Sequence, residues 1–151
     1  MQPQLQRLGA FSVAGLTART TNRDENDPGV ARIGTLWNRF FDERVYEKMP
    51  HRVADMHLYG VYSAYETDAN GAFDITTGVA VAESPEAIRI EGGDYLVFNG
   101  QGAMPQMVLA VWEAIWQYFQ DHPEIRRRYQ SDFEAYSGPE QVAIHIGVEL
   151  D

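Results

Sequence analysis

A carboxylate and a phenol stand two residues apart in the segment FEAY, which carries Glu134 and Tyr136. Side chains alternate along a strand, so both are predicted to point to one face, with Phe133 and Ala135 on the other. A carboxylate on such a face is costly to bury without a partner. An organic cation would be a suitable partner, because it combines Coulomb attraction with attraction to ring faces. The alternative is a solvated glutamate near a strand end.

A second aromatic group lies in LYGVYSAYE, where Tyr59, Tyr62 and Tyr65 recur at every third residue. In a strand, Tyr59 and Tyr65 share a face with Val61, whereas Tyr62 points to the opposite face. One face is therefore expected in the core and the other beside a cleft. Cross-strand packing of the rings, without a binding role, is the alternative.

Aromatic residues also recur at helical spacing in two segments. They are Trp37, Phe40 and Phe41 in the first segment, and Trp112, Trp116 and Phe119 in the second. Most are predicted to fill the core, and Trp37 and Trp112 are the candidates for the rim of a cleft. The candidate ligand-binding residues are thus Glu134, Tyr136, Tyr62, Tyr59, Trp37 and Trp112.

Other kinds of site are not indicated. Cysteine is absent, which excludes disulfides, thiolate metal sites and a cysteine nucleophile. The histidines lack the spacing of a zinc site, so no metal is predicted, and no motif assigns a cofactor or catalytic residues. His145 and Glu149 share a face of the last predicted strand. Glu149 would be a second carboxylate if that face lined a cleft, but exposure to solvent is the expectation.

The composition is that of a globular protein. Of the 151 residues, 44% are hydrophobic and 23% are charged, and the net charge is -10. Such a field repels phosphate backbones and anionic lipids, so neither nucleic acid nor a membrane is expected as a direct partner. The N-terminal residues do not resemble a signal peptide and no apolar run is long enough to span a bilayer, so the cytoplasm is the expected compartment.

Hydrophobic periodicity predicts an α+β fold built from two similar halves. Strands are predicted at Leu8–Thr17, Leu58–Tyr65, 72–82, 87–90, Tyr95–Gly100, Phe133–Ser137 and Val142–Leu150, and helices at Gly29–Glu47 and Met107–Phe119. The order strand–helix–strand–strand therefore occurs twice. ITTGVAV at Ile75–Val81 also matches IHIGVEL at Ile144–Leu150. We expect a single domain, 1–151, in which pseudo-symmetric modules, about 8–82 and 94–150, form a mainly antiparallel sheet with two long helices and a central ligand cleft.

The same segments resemble a known family. LYGVYSAYE, GGDYLVFNGQGAMPQ, the W-x3-W helix, FEAY and the terminal VAIHIGV strand, taken in this order, are similar to the GyrI-like effector-binding domain family. The resemblance extends from about Leu8 to Leu150. This family includes the drug-binding domains of multidrug-sensing regulators such as BmrR, effector domains of AraC-type regulators, and stand-alone integron-cassette proteins that bind cationic drugs. The chain looks most like the stand-alone kind, because no helix-turn-helix segment is recognised.

The resemblance implies an aromatic cleft with an embedded carboxylate that takes amphipathic organic cations. Glu134 matches the family's cation-seeking glutamate, and Tyr62 matches a cleft position in the YGVY segment. A separate regulatory protein would then be a partner. Two other functions stay open: some relatives hydrolyse electrophilic natural products with a glutamate and a tyrosine, and the family's namesake binds and inhibits DNA gyrase.

Overall fold

The computed structural model describes residues 2–53, 55, 57–82 and 85–150. Within them the strands are β1 (Gln4–Leu8), β2 (Phe11–Thr21), β3 (Leu58–Ser63), β4 (Ala72–Val81), β5 (Ile88–Ile90), β6 (Gly93–Gln101), β7 (Arg126–Arg127), β8 (Ser131–Gly138) and β9 (Gln141–Glu149). The helices are α1 (Asn22–Glu25), α2 (Ile33–Asp42), α3 (Val45–Lys48) and α4 (Gln106–Asp121). Among these described residues, none of the helices has the length and apolar character needed to cross a bilayer.

The strands form one curled antiparallel sheet, which confirms the predicted α+β class. Its order is β1-β6-β9-β8-β3-β4-β2-β5, and β7 pairs separately with β9. The order is symmetric about the central β8–β3 pair: β2, β4 and β3 on one side correspond to β6, β9 and β8 on the other. Each module carries one long helix, α2 or α4. The repeated order of strands and helices in the sequence therefore corresponds to the pseudo-two-fold symmetry of the sheet.

The short outer strands exchange between the modules. β1 precedes the first module in the chain but pairs with β6 of the second module. β5 precedes the second module but pairs with β2 of the first. The sequence analysis did not predict β1 as a separate strand. Each module thus supplies the edge strand that extends the other module's half of the sheet.

The two faces of the sheet carry different cores. On one face, α4 buries Val111 and Ile115 against Phe98 and Ile144, while α2 buries Phe40 in the other module. A separate set from β2 to β8 packs on the opposite face without a helix: Val13, Tyr59, Val61, Ala80, Ile90, Tyr95 and Phe133. Burial on both faces explains the long apolar runs in the strands.

The first helix is shorter than the predicted Gly29–Glu47. α2 begins at Ile33 and ends at Asp42, and α3 follows only after Arg44, whose φ of 51° lies in the left-handed region. A left-handed residue cannot continue a right-handed helix, so the chain turns there. The first predicted strand, Leu8–Thr17, is also displaced: β2 runs from Phe11 to Thr21. Its second half, Thr17–Thr21, is mostly polar, and Thr17 is hydrogen-bonded to Thr76 of β4 at 2.8 Å.

β2 and β4 approach closely where two glycines face each other. Gly15 is the register partner of Gly78. A Cβ on Gly15 would collide with the carbonyl oxygen of Thr77 and would lie 2.6 Å from the Cα of Gly78. A Cβ on Gly78 would in turn collide with the carbonyl oxygen of Ala14. Only glycine pairs permit this backbone approach, which is one way a sheet accommodates a strong bend.

Candidate ligand-binding cleft

A cleft of about 980 Å³ lies where both long helices meet the centre of the sheet. Its walls come from α1, α2, α4, β3 and β8, and from the loops that precede α2, precede α4 and follow β8. The lining residues are Glu25, Ala31, Ile33, Gly34, Trp37, Asn38, Phe41, Leu58, Tyr62, Met104, Pro105, Val108, Leu109, Trp112, Glu134, Tyr136, Ser137, Gly138 and Pro139. Lys, Arg and His are absent from these described lining residues, so the only formal charges on the wall are two carboxylates.

Glu134 lies at the base of the cleft and is 2% exposed. Its Oε2 accepts hydrogen bonds from the Tyr62 hydroxyl at 2.7 Å and from Trp112 Nε1 at 2.8 Å. Its Oε1 accepts one from the Tyr136 hydroxyl at 2.7 Å. These donors come from β3, α4 and β8, so parts of both modules position one carboxylate. All three donors are neutral, and none of them cancels its charge.

The carboxylate fits because its strand partner has no side chain. Gly60 of β3 is paired with Glu134 of β8. A Cβ at Gly60 would lie 2.7 Å from Glu134 Oε1 and 3.2 Å from Cζ2 of Trp37. The space beside the carboxylate is therefore created by the register of the central strand pair.

Burial and hydrogen bonding oppose each other in the electrostatics of Glu134. Loss of solvent raises the pKa of the Glu134 carboxyl above its usual value, because the ionised form loses hydration. The hydrogen bonds from Trp112, Tyr62 and Tyr136 lower it in part. Burial also raises the pKa of the Tyr62 and Tyr136 hydroxyls, and the negative charge of Glu134 adds to this. Both phenols are therefore held as donors to the carboxylate.

Aromatic rings surround the carboxylate. Trp37 of α2 meets Tyr136 edge to face at 5.4 Å between centroids. Trp112 of α4 meets Tyr62 in the same way at 5.1 Å. Phe41, about half exposed, stacks on Trp37 towards the cleft mouth. Such a wall offers ring faces to a flat or bulky apolar group, and ring faces attract cations.

The second carboxylate of the wall has a different environment. Glu25 accepts a hydrogen bond from the Thr20 hydroxyl at 2.6 Å and from the backbone N–H groups of Arg32 and Ile33 at 2.9 and 3.1 Å. These N–H groups begin α2, and a helix N-terminus carries partial positive charge. Glu25 therefore caps α2, and the helix offsets part of its charge. Glu134 has no such compensation.

The structure brings together five of the six residues predicted from the sequence: Trp37, Tyr62, Trp112, Glu134 and Tyr136 all line the cleft. Tyr59 does not line it, because it points to the opposite face of the sheet. There Tyr59 packs against Phe11 and Phe133 and donates a hydrogen bond to Asp55 at 2.7 Å. Strand alternation had already separated Tyr59 from Tyr62.

The last strand does not contribute a carboxylate to the cleft. Glu149 is exposed, as expected. His145 is buried on the face of the sheet that lies away from the cleft, and its ring stacks on Phe133 at 4.2 Å between centroids. Across the described residues, no group of acidic and histidine side chains is arranged to hold a metal ion. Glu25 and Gly60 were missed from the sequence. Glu25 lies in a polar turn-rich segment without periodicity, and the role of Gly60 depends on strand register.

The family model for integron-associated effector binding protein, Cass2, matches residues 4–149. The chain belongs to this family. An integron cassette protein from the mobile metagenome of Vibrio cholerae is 33% identical, with a TM-score of 0.86, and the match covers 98% of this chain and 96% of that chain. The family identity agrees with the effector-binding resemblance seen in the sequence.

More distant solved structures share the fold of this member of the integron-associated effector binding protein family. SAV2435, whose structure contains bound tetraphenylphosphonium, is 20% identical with a TM-score of 0.80, and the match covers 99% of this chain and 94% of that chain. A protein from Staphylococcus aureus MU50 has the same identity and TM-score, and the match covers 99% of both chains. The curated proteins include no match to the chain.

Proposed function

We propose that the protein binds an amphipathic organic cation in the cleft, with Glu134 as the countercharge and the surrounding rings as the apolar surface. The observation that carries the proposal is the environment of Glu134. It is a buried carboxylate, it faces a cleft, and its three hydrogen-bond donors are all neutral.

A cationic ligand would supply what this arrangement lacks. Burying an ionised carboxylate without a countercharge costs several kcal/mol, about 3 kcal/mol or more when a charge is left unpaired. The fixed hydroxyl and indole donors hold the carboxylate in place before the ligand arrives. The ligand therefore gains Coulomb attraction in a medium of low dielectric without ordering new side chains.

The relatives agree with this reading. The family is named for effector binding, and a structure of the same fold contains tetraphenylphosphonium, a lipophilic cation with four aromatic rings. Binding is favoured over catalysis because both phenols next to Glu134 donate to it. With the indole donor, they fill three of the roughly four acceptor positions of the carboxylate, which leaves little capacity to take a proton from a substrate.

We expect the cleft to select ligands by charge. Tetraphenylphosphonium should bind with a dissociation constant of about 1 µM, equivalent to about -8 kcal/mol. Tetraphenylborate has nearly the same shape and the opposite charge, so it should bind far more weakly. Titration calorimetry, or quenching of the fluorescence of Trp37 and Trp112, measures both. Equal affinity for the two ions would contradict the proposal and leave only an apolar cleft.

Cation affinity should also depend on pH. The pKa of the Glu134 carboxyl is raised in the free protein, and a cation favours the ionised form. Affinity should therefore be constant above that pKa and fall as the pH drops through it, approaching about tenfold per pH unit. The affinity of neutral triphenylphosphine oxide should not follow this curve. A flat pH profile for tetraphenylphosphonium between pH 8 and pH 4 (roughly the range that brackets a raised carboxyl pKa) would argue against Glu134 as the countercharge.

A further inference from the structure

Two buried carboxylates lie on the same face of β8, with opposite electrostatic arrangements. Asp132 is 0% exposed and Glu134 is 2% exposed. Asp132 forms an ion pair with Arg127, whose Nη2 lies 2.8 Å from Oδ2. Glu134 has only neutral donors. Of these two negative charges on β8, the one on Asp132 is thus paired with a cation, Arg127, and the one on Glu134 is not.

The Asp132 site is charge-neutralised and fixed. Its Oδ2 accepts the Tyr65 hydroxyl at 2.6 Å as well as the Arg127 guanidinium, and its Oδ1 accepts the backbone N–H of Gly147 at 2.8 Å. The Arg127 side chain is 7% exposed, and its guanidinium lies over the ring of Tyr129 at 4.4 Å. The pairing of β7 with β9 holds the Arg127 backbone beside Val148. Arg127 is therefore a buried cation with a fixed position.

The Asp132 site and the Glu134 site belong to one continuous aromatic layer. Phe73 contacts the Tyr65 ring at 6.0 Å and the Tyr62 ring at 5.5 Å between centroids. Tyr65 donates to Asp132, and Tyr62 donates to Glu134. Both carboxylates are buried beside this layer and out of solvent, so water and salt only weakly screen a net charge at one site from the other.

We propose that Asp132 is a positioning residue for cation recognition: it neutralises Arg127 and holds it at the β7 side, so that Glu134 keeps an uncompensated negative charge for the ligand. This inference rests on the proposed function of the cleft. Asp132 lies two residues from Glu134 on β8, so without its charge the Arg127 guanidinium beside it would be an unpaired buried cation on the side of Glu134 that faces β7. It would then compete with the ligand for the attraction of Glu134.

Three variants test the inference with tetraphenylphosphonium and neutral triphenylphosphine oxide as probes. Asp132→Asn keeps the size of the side chain and removes its charge, and should weaken tetraphenylphosphonium binding by about tenfold or more while leaving the neutral probe within about threefold. The double variant Asp132→Asn with Arg127→Gln removes both charges and should restore cation binding to within about threefold of the wild type. Arg127→Gln alone leaves no buried cation and should bind tetraphenylphosphonium at least as well as the wild type.

A purely structural role of the pair predicts a different pattern. All three variants would then lose affinity for both probes, and the double variant would show no recovery. Either that pattern, or unchanged cation affinity in Asp132→Asn, would overturn the inference. If Asp132→Asn does not fold, the other two variants still decide, because a tenfold loss of cation affinity in either one contradicts it (about 1.4 kcal/mol).

A ligand-free measurement separates this inference from the proposed function. Carbon-detected NMR titration of the Glu134 carboxyl reports its ionisation directly. The groups that face it are Tyr62 from β3, Tyr136 from β8 and Trp112 from α4, all unchanged in these variants. Asp132→Asn should lower the pKa of Glu134 and the double variant should return it. If the pKa of Glu134 is the same in Asp132→Asn as in the wild type, the inference is overturned even if cations bind. If the wild type fails to bind cations, only the proposed function is overturned.

Discussion

Replacing Glu134 by glutamine should weaken the binding of tetraphenylphosphonium by about ten- to a hundredfold, or about 1–3 kcal/mol. The change removes the charge and keeps the size and the capacity for hydrogen bonds. The affinity for neutral triphenylphosphine oxide should stay within about threefold, because stacking on the rings is unchanged. Titration calorimetry with both probes gives the comparison.

The folded state should tolerate this substitution. A glutamine carbonyl oxygen can accept from Tyr62 and Trp112, and its amide can donate to the Tyr136 hydroxyl oxygen. The effect of the Glu134 charge on the stability of the folded state supports the same expectation. Because folding raises the pKa of the Glu134 carboxyl, ionisation at neutral pH costs stability, and this cost disappears as the pH falls through the folded-state pKa. The melting temperature of Glu134→Gln at pH 7 should therefore not fall below that of the wild type (a neutral condition for ordinary carboxyls).

Two control variants make the result specific. Glu149→Gln removes one negative charge from an exposed position on β9 and should leave cation binding unchanged. Tyr136→Phe keeps the ring face and removes one donor to the carboxylate, so its effect should be smaller than that of Glu134→Gln. If Glu149→Gln weakened binding while Glu134→Gln did not, the countercharge would belong to the last strand.

Gly15→Ala should destabilise the protein by about 3 kcal/mol or more, because the new methyl group would meet backbone atoms of β4 rather than a movable side chain. The Thr77 carbonyl and the Gly78 Cα are held by the pairing of β2 with β4. Relief requires separating the two strands at this close approach. Thermal unfolding followed by circular dichroism should show a fall in melting temperature of about 10 °C.

Gly9→Ala is the matched control for this effect. Gly9 lies between β1 and β2, and no heavy atom lies within 4 Å of a Cβ placed there. Its melting temperature should change by no more than about 2 °C. Similar losses in the two variants would show that chain flexibility, and not the close approach at Gly15, sets the effect.

Alternation along the strands was sufficient to predict much of the site. It placed Glu134 and Tyr136 on one face, and it separated Tyr62 from Tyr59, as the structure does. Helical spacing identified Trp37 and Trp112 as the rim candidates. The repeated element order and the match between Ile75–Val81 and Ile144–Leu150 predicted the symmetric modules. Hydrophobic periodicity and the order of elements can both be read from the sequence without knowing which strands pair.

The features that escaped prediction depend on contacts between distant parts of the chain. Alternation cannot say which face of a sheet the helices cover, so both Tyr59 and Tyr62 remained candidates. Glu25 reaches the cleft because it caps α2 from the end of the short helix α1. The role of Gly60 follows from its register with Glu134 across the central strands. Register between strands far apart in the chain is set by the assembled core, and a single sequence does not encode it locally.

The exchange of β1 and β5 makes the molecule resemble two interlocked subunits joined by one covalent connection. A break between β4 and β5 would give two fragments, each with an unfilled sheet edge and each carrying the strand that fills the other's edge. The fragments would also divide the cleft, since Trp37 and Tyr62 would belong to one and Trp112 and Glu134 to the other. A ligand that contacts both fragments would favour their reassembly, which makes this fold a natural scaffold for a split sensor of organic cations.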